Sequence, residues 1–138
     1  MADVDTTAGA AVTEPLPPGS RHIVIIEDNA DFRDSFRLLL ESWGHRVEEA
    51  ATGSEGLEIL RRGRPDIVLV DLGLPDLDGY AVARTLRSAP GGDAVVMVAI
   101  TGYGAAGDRR RSEDAGFDAH VTKPVSPLEL AKILRLKR

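Results

Sequence analysis

The chain has 138 residues, enough for one domain that buries a core without metal or disulfide staples. Its 43% hydrophobic and 28% charged residues are ordinary for a globular protein, and the lack of cysteine excludes a disulfide framework, a thiolate metal site and cysteine catalysis. A net charge of −5 argues against a broad nucleic-acid surface, which needs a concentrated basic stripe. Only Arg109-Arg110-Arg111 runs the other way, and that run reads as a solvated helix face, with a docking surface as the alternative. No basic segment followed by an apolar one opens the chain, and no apolar run approaches the roughly 20 residues that span a bilayer. These features predict a soluble, cytoplasmic domain that uses neither membrane nor direct DNA binding.

Residues 1–20 contain Asp3, Asp5 and Glu14, three prolines and no Lys or Arg, so they read as a disordered tail before a folded domain over 21–138. "HIVIIE" (22–27) is a buried strand ending in acid. Asn29 caps the helix that follows, where Phe32, Phe36, Leu39, Leu40 and Trp43 share one face and Gly44 ends the run. "HRVEEA" (45–50) alternates as a second strand. Thr52 and Glu55 form a capping-box signature for a helix bearing Leu57, Ile59 and Leu60.

"DIVLV" (66–70) is the third strand, and Asp78-Gly79 opens a helix to about Arg87. "AVVMVAI" (94–100) is the fourth strand, 105–115 a polar helix, and "DAHV" (118–121) a short fifth strand. Ser126, Pro127 and Glu129 announce a last helix with Leu128, Leu130, Ile133, Leu134 and Leu136. Near-continuous apolar strands alternating with helices predict a doubly wound α/β sandwich of five strands and five helices around a parallel sheet. The functional crevice of such a sheet lies outside the carboxyl ends of its strands.

Those ends carry Glu27-Asp28, Asp71, Thr101 and Thr122-Lys123-Pro124. Three carboxylates at close range need a cation, because like charges raise one another's pKa. Lys123 supplies one charge, and the remaining deficit with all-oxygen ligands suits Mg²⁺. An Asp, a divalent metal, a Lys and a Thr together make a site for a phosphoryl group. Asp71 ends the most hydrophobic strand and is the natural nucleophile for an acyl phosphate. Asp76, after Pro75, and Asp78, before Gly79, read as structural turn and cap residues.

The pieces "IIEDN", "VLVDLGLPDLDGY", "AITGYG" and "VTKP", in this order over residues 22–136, resemble a response-regulator receiver domain of two-component signalling. The resemblance implies the flavodoxin-like receiver fold with sheet order 2-1-3-4-5. It implies Asp71 as phosphoacceptor, charged from a sensor histidine kinase or a histidine phosphotransfer protein. Mg²⁺, or Mn²⁺ in its place, would be held by Asp28, Asp71 and the Gly73 carbonyl, with Glu27 acting through water. Lys123 and Thr101 would bind the phosphoryl group, Thr101 as the switch hydroxyl, and Pro124 would hold the Lys123 loop, through a cis bond in one form of it. As a single-domain receiver without an output domain of its own, the chain would act by binding a downstream protein or by phosphorelay; a homodimer is a further habit of the family.

At His120 the family commonly has Tyr or Phe coupled to the switch hydroxyl; histidine is smaller and polar, so both a switching role and a plain half-exposed residue stay open. Gly73 offers no side chain to position water and Tyr103 is bulky, which together predict slow autodephosphorylation. Two other forms of the reading are a receiver segment of a hybrid histidine kinase and a haloacid-dehalogenase-like phosphohydrolase. The hydrolase needs a second Asp two residues after the nucleophile, where this chain has Gly73. A flavodoxin-like cofactor binder would want a hydroxyl- and glycine-rich loop in place of "EDNAD".

Overall fold

The computed structural model describes residues 19–102 and 109–138. Its elements are β1 (His22–Ile26), α1 (Ala30–Ser42), β2 (Arg46–Ala50), α2 (Gly53–Arg62), β3 (Ile67–Asp71), α3 (Gly79–Ser88), β4 (Val96–Thr101), α4 (Arg109–Ala115), β5 (Ala119–Thr122) and α5 (Pro127–Ile133), with a 3₁₀ turn at Gly92–Ala94 before β4. The strands pair in parallel in the order β2-β1-β3-β4-β5, as the sequence and the resemblance predict. The tail assigned to residues 1–20 falls almost wholly outside the described residues.

Strand alternation sends side chains to two cores. Ile23, Ile25, Ile67, Leu69, Val96, Val98 and Ile100 pack with Phe36 and Leu40 of α1 and Leu130 and Ile133 of α5. Val24, Ile26, Val68, Val70, Met97 and Ala99 pack with Leu60 of α2, Val82 and Leu86 of α3, and Phe117. Because both faces are covered, the central strands carry no polar alternation. Removing each large aliphatic side chain from water stabilises the sheet by about 1.5–3 kcal/mol.

The helices start where their caps predict. Asn29 Oδ1 accepts from the Phe32 amide at 3.0 Å, Thr52 Oγ1 from Glu55 at 3.1 Å, and Asp78 Oδ1 from Ala81 at 2.8 Å. Ser126 and Glu129 close a reciprocal box at 3.1 and 3.0 Å. At α2 the box is offset, since Glu55 Oε1 reaches the Ala51 amide at 2.7 Å. Helix ends depart more from expectation. Trp43 caps α1 and is 39% exposed, Leu128 is 66% exposed, and Leu134 and Leu136 pack on the core from beyond the end of α5. β4 begins at Val96 because Gly92–Ala94 turns the chain first.

Candidate functional site

Strand register brings the site together. β1, β3, β4 and β5 pair so that Ile26 lies beside Val70, Asp71 beside Ile100, and Thr101 beside Thr122. The next residues, Glu27-Asp28 and Lys123, therefore leave the sheet at the same edge as Asp71. The Lys123 amide donates to the Thr101 carbonyl at 2.8 Å, and the Leu72 amide to the Ile100 carbonyl at 3.0 Å, which extends the ladder to the rim.

Glu27 is fully buried and held at both oxygens: Oε2 accepts from the Asn29 amide at 2.9 Å, and Oε1 lies 2.8 Å from Lys123 Nζ. Lys123 Nζ is 3.5 Å from Asp71 Oδ2, while Asp71 Oδ1 accepts from the Gly73 amide at 2.9 Å. Carboxylate oxygens of Glu27, Asp28 and Asp71 lie within 4.8 Å of one another. Asp28 is exposed at the mouth and Asp71 is buried at the floor.

The charges do not balance: three carboxylates face one ammonium. Burial pushes the Glu27 carboxyl above its ordinary range, and the Asp71 charge adds to that; the Lys123 bond and the Asn29 amide oppose it. For Lys123, burial works against the charge. Its bond to Glu27 and the charges of Asp71 and Glu27 outweigh that effect, so its pKa is raised and it stays protonated. An all-oxygen donor set carrying excess negative charge fits a small hard cation such as Mg²⁺. Glu27, Asp28 and Asp71 are the groups that could hold it.

Thr101 is buried at the end of β4, and its hydroxyl is turned toward β5, 3.4 Å from both the Val121 carbonyl and Thr122 Oγ1. His120 pairs in register with Ala99, on the same sheet face as Thr101. With Ser112, Glu113, Phe117, Asp118 and Ala119 it lines a surface cavity of about 190 Å³. The Lys123–Pro124 peptide bond is cis. Gly73 is exposed, and a Cβ built there would meet only Asp71 Oδ1, at 3.7 Å, so sterics do not demand glycine. Tyr103 lies outside the described residues.

Gly79 is a different case: a Cβ there would fall 2.7 Å from the Asp71 carbonyl oxygen and 2.9 Å from Leu72 Cα, so α3 starts directly against the end of β3. Asp78 caps that helix, as its position before a glycine suggests. Asp76 does something the sequence did not reveal. Its carboxylate accepts from the Gly53 amide at 2.8 Å, the Ser54 amide at 3.0 Å and the Ser54 hydroxyl at 2.6 Å, tying the β3–α3 loop to the start of α2. Two more residues escaped notice. The ring of Phe32, read only as core, lies under Lys123 Nζ at 4.5 Å, and Arg33 Nη1 donates to the Glu27 carbonyl at 2.8 Å. Their position one turn past the Asn29 cap is the only signal for either.

Comparison with known proteins places this architecture. The response regulator receiver domain family model matches residues 23–135. The chain is 31% identical over 106 residues to the polar-differentiation response regulator DivK of Brucella anthropi, covering 77% of this chain and 86% of that protein. Among solved structures it is similar to the receiver domain of the sensor histidine kinase PA1611 from Pseudomonas aeruginosa PAO1 (TM-score 0.76, 34% identity, 83% of this chain and 94% of that one), which has a magnesium ion coordinated in its active site cleft. A CheY-like receiver domain protein from Methanospirillum hungatei JF-1 superposes with a TM-score of 0.74 at 32% identity, over 82% of this chain and 89% of that one. The chain belongs to the response regulator receiver domain family, a family of signalling domains in two-component systems rather than of metabolic enzymes. That membership leaves the hydrolase and cofactor-binding alternatives without support. No helix among the described residues is long and apolar enough to cross a membrane.

Proposed function

We propose that this protein is a phosphorylation-controlled receiver that accepts a phosphoryl group on Asp71 from the phosphohistidine of a sensor kinase or phosphotransfer protein, in the cytoplasm. A carboxylate oxygen of Asp71 attacks phosphorus, the P–N bond breaks with its electron pair going to the imidazole, which takes up a proton, and an acyl phosphate remains. The observation that carries this reading is the meeting of Glu27, Asp28, Asp71 and Lys123 at one strand-end rim. Lys123, held protonated, faces the oxygens of the incoming group. Asp28, Asp71 and the Gly73 carbonyl would hold Mg²⁺, with Glu27 contributing through water, and the ion would supply charge neutralisation for the phosphoryl oxygens. Mn²⁺ serves the same donor set.

Thr101 is the switch hydroxyl in this reading: it exchanges its β5 partners for the phosphoryl group, and His120 on the same sheet face relays that movement. Output passes to a downstream protein, to a further phosphotransfer partner or to a second copy of the chain. Gly73 offers no side chain to position an attacking water, which makes the aspartyl phosphate long-lived. The PA1611 neighbour is the receiver of a histidine kinase, which supports a kinase-attached form of the same chemistry.

The test is incubation with a small phosphodonor and Mg²⁺, read by intact mass. Wild type should gain one phosphate and Asp71→Asn none; no gain in wild type, or an equal gain in the mutant, overturns the assignment. Decay of the modified species then reads lifetime. Gly73→Asn, whose amide can orient water, should shorten it, and rapid decay of the wild type would refute the roles given to Gly73 and Tyr103.

A further inference from the structure

Behind the acidic cluster lies a second charged layer that phosphoryl transfer does not use. Arg33 spans two strands from α1: Nη1 donates to the Glu27 carbonyl at 2.8 Å, and Nε lies 3.4 Å from Glu49 Oε1 on β2. The Arg33 and Glu49 side chains are 16% and 24% exposed, so solvent screens the pair only in part. The other oxygen of Glu49 takes the guanidinium of Arg37, one turn further along α1. Arg37 pairs with Glu49, Glu41 and Asp34.

Glu27 is thus fixed at its backbone as well as at its carboxylate. Its amide donates to the Ala50 carbonyl at 3.0 Å, its carbonyl accepts from Arg33, and its side chain binds the Asn29 amide and Lys123. Asp28 has no such support, since its carboxylate makes no hydrogen bond among the described residues. Its direction comes from the backbone of the turn, which Arg33 pins from below. Arg33 shares Glu49 with Arg37, and its bond toward the cluster goes to the Glu27 backbone carbonyl rather than to a carboxylate, so the guanidinium acts there by placement.

We infer that Arg33, seated by Glu49, is a positioning residue that presets the Glu27–Asp28 turn for a divalent cation. This rests on the reading of the cluster as a Mg²⁺ site. Groups that orient ligands from behind change metal affinity by about 10–100-fold when removed.

The experiment is Mg²⁺ titration by calorimetry on wild type, Arg33→Met, Arg33→Lys and Arg37→Met, with amide hydrogen exchange at Asp28 and Asn29 in metal-free protein. Arg33→Met should weaken Mg²⁺ binding about tenfold and speed exchange at both amides. Arg33→Lys should fall between, because one ammonium cannot replace a planar fork on two partners. Arg37→Met, which takes a charge from the same Glu49 but leaves the Glu27 carbonyl alone, should shift affinity by no more than about twofold. The inference is overturned if wild type binds Mg²⁺ and Arg33→Met binds it equally, or if Arg37→Met loses as much, which would mean general loosening of α1 on β2. Should Arg33→Met not fold, wild-type affinity in Arg33→Lys overturns it. A wild type that binds no Mg²⁺ defeats the metal reading itself, a distinct result.

Discussion

Charged groups gather at both ends of this sheet, and they are arranged in opposite ways. At the amino end, Arg87 lies across α3, β4 and β5. It donates to the carbonyls of Gly116, Gly92 and Val95 at 2.6–3.0 Å and to Asp118 Oδ2 at 2.9 Å. Asp118 also accepts from the Met97 amide and from Arg138, both at 2.9 Å. Two guanidinium groups meet one carboxylate there, and backbone carbonyls take the remaining donors. At the carboxyl end three carboxylates meet one ammonium. The first arrangement is closed and serves stability. The second is left incomplete by its own residues, and the deficit fits a small hard cation.

This contrast can be broken most strongly at the closed end. Arg87→Ala removes one partner from each of three carbonyls and from Asp118 at a side chain only 12% exposed, and should cost about 3 kcal/mol in urea unfolding. Mg²⁺ affinity, set at the other end, should stay within about twofold. The open end should respond to ligand instead. Mg²⁺ at about a hundred times its Kd should stabilise wild type by roughly 2.7 kcal/mol, read as a shift in thermal unfolding. Asp71→Asn should lose most of that shift while being at least as stable as wild type without metal, because it removes one of the crowded charges.

The smallest effect belongs to Asp76, in the loop that follows β3. The Ser54 hydroxyl, together with the Gly53 and Ser54 amides, holds its carboxyl well below the ordinary value of 3.8. A carboxyl depressed on folding contributes stability above its unfolded pKa and loses it as pH falls toward the folded one. Asp76→Ala should therefore lower the thermal midpoint slightly at neutral pH, with the gap to wild type narrowing as pH drops below 3.8. A gap that persists unchanged in acid would mean the loss comes from loop packing, where Leu77 Cβ lies 2.8 Å from a Cβ built at Gly53.

Much of the site was legible because it depends on local rules. Apolar runs end at Asp71, Thr101 and Glu27, and the ends of parallel strands converge on one rim whatever the loops do. Caps were legible for the same reason: Asn29, Thr52, Asp78 and Ser126 each satisfy amides within three residues of themselves. Arg33, Phe32 and Asp76 were not. Each acts on a partner far along the chain or on a different element, and Asp76 sits in a turn sequence that explains it adequately without its long-range bonds. Trp43 and Leu128 misled in the other direction, since helical periodicity assigns a face but not how far the neighbouring element covers it.

The amino-acid order by itself determined the sandwich, the sheet's buried strands, the helix starts and the set of groups brought to the rim, because periodicity, capping and parallel pairing act through neighbours. The packing of elements against one another set which oxygen faces which cation. It also set the Thr101 hydroxyl toward β5, put an arginine behind Glu27, and tied the β3–α3 loop to α2 through Asp76. Those choices depend on distances between elements, and such distances are fixed by how the two cores pack rather than by any stretch of the chain alone.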